Sequence, residues 1–339
     1  MSRPMLAHRG PEFREILTGT ERMLRQIIGT ANHVFFFAST GTGMMEAALV
    51  NVLAPRERVL VVIHGQFGER FASIAEAMGA DVDRLEVEWG FAPDPAAIEA
   101  RLREREYRAL VVVHNESATG AAAPLAEIGA MLRDRRELLL VDSVSGLGGM
   151  DFRMDEWGVD VLASASQKCL MCPPGLGIAA ISAKAWEVAR RDDRMPRYFW
   201  DYRRAMDSAD KTETAFTTPV AAVIGLHAAL EMIHAEGLSN VLERHLRLSQ
   251  ALRDGCAALG MPSFAREGLS NTVVALDVPG RGKEIVRAMY ERYGSVIAGS
   301  RNKLSGRVIR IGTMGALTDE DIQTDLEQLA SCLANPASA

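Results

Sequence analysis

Short, continuous apolar runs alternate with amphipathic segments through the first half of the chain. That alternation constrains the fold more than any other feature. The runs span residues 33–38, 58–63, 109–114, 138–142 and 160–163. They are rich in Val, Leu and Phe, the texture of strands buried on both faces. Helical patterns over 43–53, 68–78, 95–106 and 124–136 fall between them. Strands that alternate with helices build a parallel sheet covered on both sides, so the expected class is α/β.

Beyond Ser182 the texture changes. Helices are expected over 183–192 and 195–207, a loop over 207–217 and a long apolar helix over 219–235, stopped at Gly237. A helix then leads into a strand at 272–278, a helix at 283–293, strands at 295–298 and 308–311, and a last helix at 318–333. This reads as a compact α+β unit, which divides the chain into a large domain, 1–237, and a small one, 238–339. The closing Pro-Ala-Ser-Ala is expected to fray. At 339 residues, 48% hydrophobic, the chain can bury a large core.

The net charge of −6 argues against a nucleic-acid partner. No apolar run is long enough for a membrane-spanning helix, and residues 1–13 lack the apolar stretch of a signal peptide. The four cysteines do not form a secreted disulfide pattern, so a reducing, cytoplasmic setting is expected.

Four places can carry chemistry. Ser39-Thr40-Gly41-Thr42-Gly43 is a glycine-rich turn feeding a helix, where free backbone N–H groups and the helix dipole attract an anion. It matches neither the P-loop nor the dinucleotide fingerprint, and it fits a plain strand-to-helix turn equally well. Asp142 closes a strand at the edge where open α/β sheets bind ligands. Taken alone, it reads more readily as a turn or N-cap residue. Lys168 is one of only five lysines, and it leaves a strand of small residues just before Pro173-Pro174-Gly175. Desolvation there favours the neutral, nucleophilic amine that Schiff-base chemistry needs, and this outweighs a snorkelling surface lysine. Arg310 interrupts an apolar strand and needs a carboxylate, from a ligand or from the protein. Cys169-x-x-Cys172 has no second pair or suitably spaced histidines, so it is not read as a metal or redox site. Together the four describe one cofactor. Pyridoxal phosphate needs a lysine for its aldehyde, an acid for its ring nitrogen and an anion site for its phosphate, and an arginine serves the substrate carboxylate.

These motifs resemble the class V aminotransferases of the aspartate-aminotransferase fold, in particular the serine–glyoxylate and alanine–glyoxylate group. The carrying segments are 39–51 (STGTGMMEAALVN), 114–120 (HNESATG), 141–149 (VDSVSGLGG), 150–160 (MDFRMDEWGVD), 166–177 (SQKCLMCPPGLG), 198–202 (YFWDY) and 309–315 (IRIGTMG). The resemblance implies that Lys168 condenses with the cofactor and shuttles the substrate proton, and that Asp142 pairs with the ring nitrogen. Ser117, with Thr119 close by, is implied beside the phenolic oxygen. Thr40, Gly41, Thr42 and Gln167 are implied at the phosphate, and Phe67 stacked on the ring. It implies Thr217 at the phosphate of a neighbouring subunit, hence a homodimer with shared sites, and Arg310 at the substrate carboxylate. The implied activity is ping-pong transfer of an amino group from serine or alanine, or from aspartate if Arg301 or Arg307 serves as a second arginine, to glyoxylate or pyruvate.

Three departures accompany the resemblance. The chain starts after the Pro-Gly-Pro segment that precedes the region matching 5–13 in relatives, a phosphate-binding tyrosine is replaced by Thr214, and the C-terminus is shorter than in some relatives. The alternatives are a lyase of desulfurase type, which needs a mobile cysteine, and a cofactor-binding dimer with impaired catalysis.

Overall fold

The computed structural model describes residues 5–334; the C-terminal Pro-Ala-Ser-Ala lies outside them. The strands are β1 (Val34–Ser39), β2 (Arg58–Ile63), β3 (Asp81–Glu86), β4 (Ala109–Val113), β5 (Asn115–Glu116), β6 (Ala121–Ala122), β7 (Leu138–Asp142), β8 (Val161–Ala165), β9 (Gly175–Ile181), β10 (Val273–Asp277), β11 (Ala298–Gly299) and β12 (Val308–Gly312). The helices are α1 (Pro11–Ile28), α2 (Gly41–Val52), α3 (Gln66–Ala77), α4 (Pro95–Glu104), α5 (Leu125–Leu132), α6 (Met154–Trp157), α7 (Ala183–Ala189), α8 (Tyr202–Ala209), α9 (Val220–Glu236), α10 (Leu238–Ala258), α11 (Gly282–Tyr293) and α12 (Asp319–Ala334).

Seven strands form the main sheet in the order β1-β9-β8-β7-β4-β2-β3. Six run parallel to one another, and only β9 is reversed, pairing antiparallel with β1 and β8. The continuous apolar runs follow from this position. Alternate residues of each strand enter opposite cores: Val34, Leu60, Leu110, Leu139 and Leu162 pack with α1, α5 and α9. Their neighbours Phe35, Val59, Val111, Leu140 and Val161 pack with α2, α3, α7 and α8. A strand covered on both sides has no polar face to alternate with.

A second sheet, β10-β12-β11, is antiparallel and lies against α10, α11 and α12 through a separate core. Helices α9 and α10 meet at 88° across Gly237, whose φ of +87° suits glycine. Among the described residues, no single helix is long and apolar enough to cross a membrane.

Several elements depart from the sequence reading: among them, α1 over Pro11–Ile28 was not anticipated, and the strand expected at 295–298 is Ala298–Gly299. The expected helix at 195–207 begins only at Tyr202. Pro196 disfavours helical geometry at Met195, and the Asp201 side chain accepts the Arg203 N–H as the true N-cap. The helix then runs to Ala209, two residues past its expected end. Strand β9 and the half-exposed β3 were not anticipated. The first carries two glycines, and the second has the charge pattern of a loop (DVDRLE).

Candidate active site

Five parallel strands, β1, β2, β4, β7 and β8, all point their carboxyl ends at one cleft of about 200 Å³. Each contributes residues at or shortly beyond its end: Thr40-Gly41-Thr42 after β1, Phe67 at the start of α3 after β2, Ser117 past β4 and the short β5, Asp142 at the end of β7, and Gln167-Lys168 after β8. All eight were singled out in the sequence, and a parallel sheet places its ligand at this edge.

The first wall is the N-terminus of α2. Thr40 is its N-cap without a side-chain cap bond, and the first turn holds no acidic residue. The opening N–H groups therefore face the cleft without an internal partner. The floor is Asp142, buried on β7, whose carboxylate accepts the Val144 N–H at 2.8 Å. Burial pushes its pKa up to about 6, against the Val144 bond and the positive charges of Arg70 and Lys168. Lys168 faces the same space. Its pKa is lowered first by burial and then by Arg310, while Cys169 and Asp142 pull the other way.

Glu116, buried beneath the cleft, had no role in the sequence reading. Its Oε2 accepts from the backbone N–H of Phe67 at 2.8 Å and of Gly68 at 3.2 Å, and Oε1 accepts from Ala118 at 3.1 Å. The carboxylate thus ties the Phe67 turn to the Ser117 turn. Burial still raises its pKa to about 7 despite these three bonds. Gly65 makes the fit possible, because a Cβ there would lie 2.1 Å from Glu116 Cγ. Gly65→Ala is expected to cost about 1–3 kcal/mol in thermal denaturation, with part of the loss recovered in the Gly65→Ala/Glu116→Ala double variant.

Arg310 reaches over from β12. Its Nη1 donates to Ser117 O at 3.4 Å and its Nη2 to Gly299 O at 3.0 Å, while Nε has no partner. Both acceptors are neutral, so the guanidinium remains available to an anion. Thr119 does not line the cleft; it is buried behind it, donating weakly to His64 O at 3.4 Å and Glu116 O at 3.3 Å. Thr217 is exposed on the loop between α8 and α9, away from the cleft. Thr214 is buried and donates to Phe216 O. Arg70 and Asn115 also line the cleft and were not singled out. Arg70 follows Phe67 by three residues on α3, so helix periodicity alone puts both on one face.

All four cysteines are free and buried. Burial pushes Cys169 up to about 12, the opposite of a reactive thiol. Among the described residues, no group of three His, Cys, Asp or Glu side chains is arranged for a metal ion.

Residues 2–323 match the family model described as aminotransferase class-V. The chain belongs to this family. It is 37% identical over 327 residues to the L-aspartate–glyoxylate aminotransferase of Paracoccus denitrificans, covering 93% of this chain and 82% of that protein. It is 36% identical over 332 residues to the serine–glyoxylate aminotransferase of Arabidopsis thaliana, covering 95% and 80%. The crystal structure of alanine–glyoxylate aminotransferase from a Nostoc species superposes with a TM-score of 0.93 at 29% identity, over 98% of this chain and 90% of that one. The architecture is that of the fold-type I aminotransferases: a mostly parallel seven-stranded sheet with a C-terminal antiparallel α+β part.

The family implies pyridoxal phosphate, and the residues present fit that group. Asn115 Oδ1 and Gln167 Oε1 are buried side-chain atoms without partners, both on residues that line the cleft. The unpaired N–H groups of α2, an aromatic ring, a buried acid and a desolvated amine complete a donor set suited to an anionic aromatic aldehyde.

Proposed function

We propose that this class-V aminotransferase moves an amino group from a small amino acid to glyoxylate or pyruvate in a ping-pong cycle, as a homodimer with shared sites. The observation that carries the reading is the meeting of Lys168, Asp142 and the α2 N-terminus in one cleft at the carboxyl edge of the sheet. The names of the three relatives support glyoxylate as acceptor.

In this reading, pyridoxal phosphate supplies the electron sink that lets an amino acid lose its α-proton. The protein supplies the rest. Lys168 would hold the cofactor covalently, and its amine would take and return the substrate's α-proton; a lowered pKa suits both tasks. Asp142 would hold positive charge on the ring nitrogen. Thr40, Gly41, Thr42 and Gln167 would hold the phosphate, Phe67 would serve the ring, and Ser117 would serve the phenolic oxygen, with Thr119 behind it. Arg310 grips the substrate carboxylate. Thr217, exposed and outside its own cleft, suits contact with the partner's phosphate. The domain division at 237/238 places every cofactor residue in the large domain and Arg310 in the small one. Four free buried cysteines suit a reducing, cytoplasmic setting.

Of the two arginines considered for a second substrate carboxylate, Arg307 is engaged by Asp277 at 2.7 and 2.8 Å. Arg301 is exposed and makes no ion pair among the described residues, so it is the one left for an aspartate donor. The desulfurase alternative lacks a reachable thiol, because every cysteine is buried.

The deciding experiment is a half-reaction panel. Purified holoenzyme is mixed singly with serine, alanine, aspartate and glycine, and the cofactor spectrum is followed. Conversion of the cofactor to its amine form by one of them, reversed by glyoxylate or pyruvate, is the expected result. No conversion with any donor places the protein in the impaired-dimer class instead. For the active donor, Arg310→Gln is expected to raise KM by roughly 10–100-fold, the worth of charge-assisted hydrogen bonds to a carboxylate.

A further inference from the structure

Arg70 lies in the second turn of α3 and lines the cleft, yet the roles assigned so far leave it unused. Its guanidinium sits 4.6 Å from the centroid of the Phe67 ring, and Nη1 donates to Thr42 Oγ1 at 3.1 Å. Thr42 is in the first turn of α2, so the guanidinium stands beside the unpaired N–H groups at that helix's start. Two positive features meet there; the acid that feels the Arg70 charge is the buried Asp142 across the cleft, and no carboxylate pairs with the guanidinium directly. The α2 first turn is free of acidic residues. The adjacent Glu69 is engaged by Lys303 at 2.7 Å, and Arg70 makes no ion pair among the described residues. Holding unpaired positive charge on an aromatic ring in a half-buried cleft fits a site that receives an anion.

We infer that Arg70 binds the phosphate of the cofactor, supplying the full positive charge that the α2 N-terminus lacks, and so sets the preference for the phosphorylated form of the vitamin over the free alcohol. The inference rests on the pyridoxal-phosphate reading above. A dianion held only by backbone N–H groups and neutral side chains is weakly compensated, whereas one guanidinium with two parallel donors matches phosphate geometry. Stacking on Phe67 fixes the donor direction in advance, so little side-chain freedom is lost on binding.

The test uses the full-length cofactor-free protein and two probes, pyridoxal phosphate and pyridoxal, each titrated by absorbance and intrinsic tryptophan fluorescence. Arg70→Gln is expected to raise the Kd for pyridoxal phosphate by roughly 10–100-fold while moving that for pyridoxal less than about 3-fold. Arg70→Lys should recover part of the loss, and inorganic phosphate should compete less well in the glutamine variant than in wild type. Equal weakening of both probes overturns the inference, because it would mean that Arg70 acts through its charge on Asp142 or through the fold. Unchanged binding of both probes also overturns it. Failure of wild type to bind pyridoxal phosphate at all would instead remove the parent reading, and is distinguishable on that ground.

Discussion

Replacing Lys168 by alanine is expected to lower transamination by at least about 10³-fold, because one side chain is asked to serve as both nucleophile and proton carrier. The other lysines cannot substitute for it. Lys184 is occupied by Glu137 O at 2.6 Å and by Asp160, Lys303 is paired with Glu69, and Lys211 and Lys283 are exposed outside the cleft. Lys168 is the one lysine lining the cleft, and its ammonium form is disfavoured by burial and by the neighbouring Arg310 charge. Borohydride reduction of the holoenzyme followed by peptide mass analysis should place the cofactor on Lys168 alone. A label on any other lysine would overturn the assignment. The alanine variant should keep the wild-type melting temperature within a few degrees, since the turn bond Lys168 makes, from Met171 N–H to its carbonyl at 2.9 Å, is a backbone bond that alanine keeps. The backbone bonds Ser166 N to Leu176 O and Cys172 N to Ser166 O hold the rest of the turn after β8.

The parallel sheet was legible because burial on both faces writes itself into sequence as unbroken apolar runs, as in LLLVD of β7 and ALVVV of β4. The ends of those runs also locate a ligand edge, which is why Asp142 and Lys168 could be singled out before any geometry was known. Glu116 could not. Its importance comes from the turn after β4 passing beneath the start of α3, a contact between residues about fifty positions apart that no local pattern encodes. Strand β9 was hidden for another reason: GLGIAAI has the small residues of a turn, and only pairing between β1 and β8 makes it a strand. Arg70 was within reach, since three residues separate it from Phe67 on one helix, but it draws attention only once Thr42 is known to face it.

Asp142→Asn should move activity and stability in opposite directions. Without a carboxylate, positive charge on the cofactor ring loses its counter-ion, and turnover is expected to fall by roughly 10²–10³-fold, in line with losing a charge-stabilising group in a dry site. Stability of the cofactor-free protein should change the other way, and only at higher pH. Burial raises the Asp142 pKa in the folded chain to about 6, whereas the unfolded chain returns it to an ordinary carboxylate value. Between these two values the folded state holds a proton that the unfolded state gives up. Stability therefore declines as pH rises through that window, and the full burden of a buried charge is present above it. The difference corresponds to about 3 kcal/mol. Asparagine keeps an oxygen for the Val144 N–H and carries no charge, so the variant should melt several degrees above wild type near pH 8 and level with it near pH 4. Loading with cofactor should reverse the order at high pH, because the ring nitrogen's charge then stabilises the ionised acid in wild type alone. A variant that melts below wild type at every pH in the cofactor-free state would show that Asp142 is ionised and satisfied without the cofactor, and that its place in the cleft serves the fold rather than a cation.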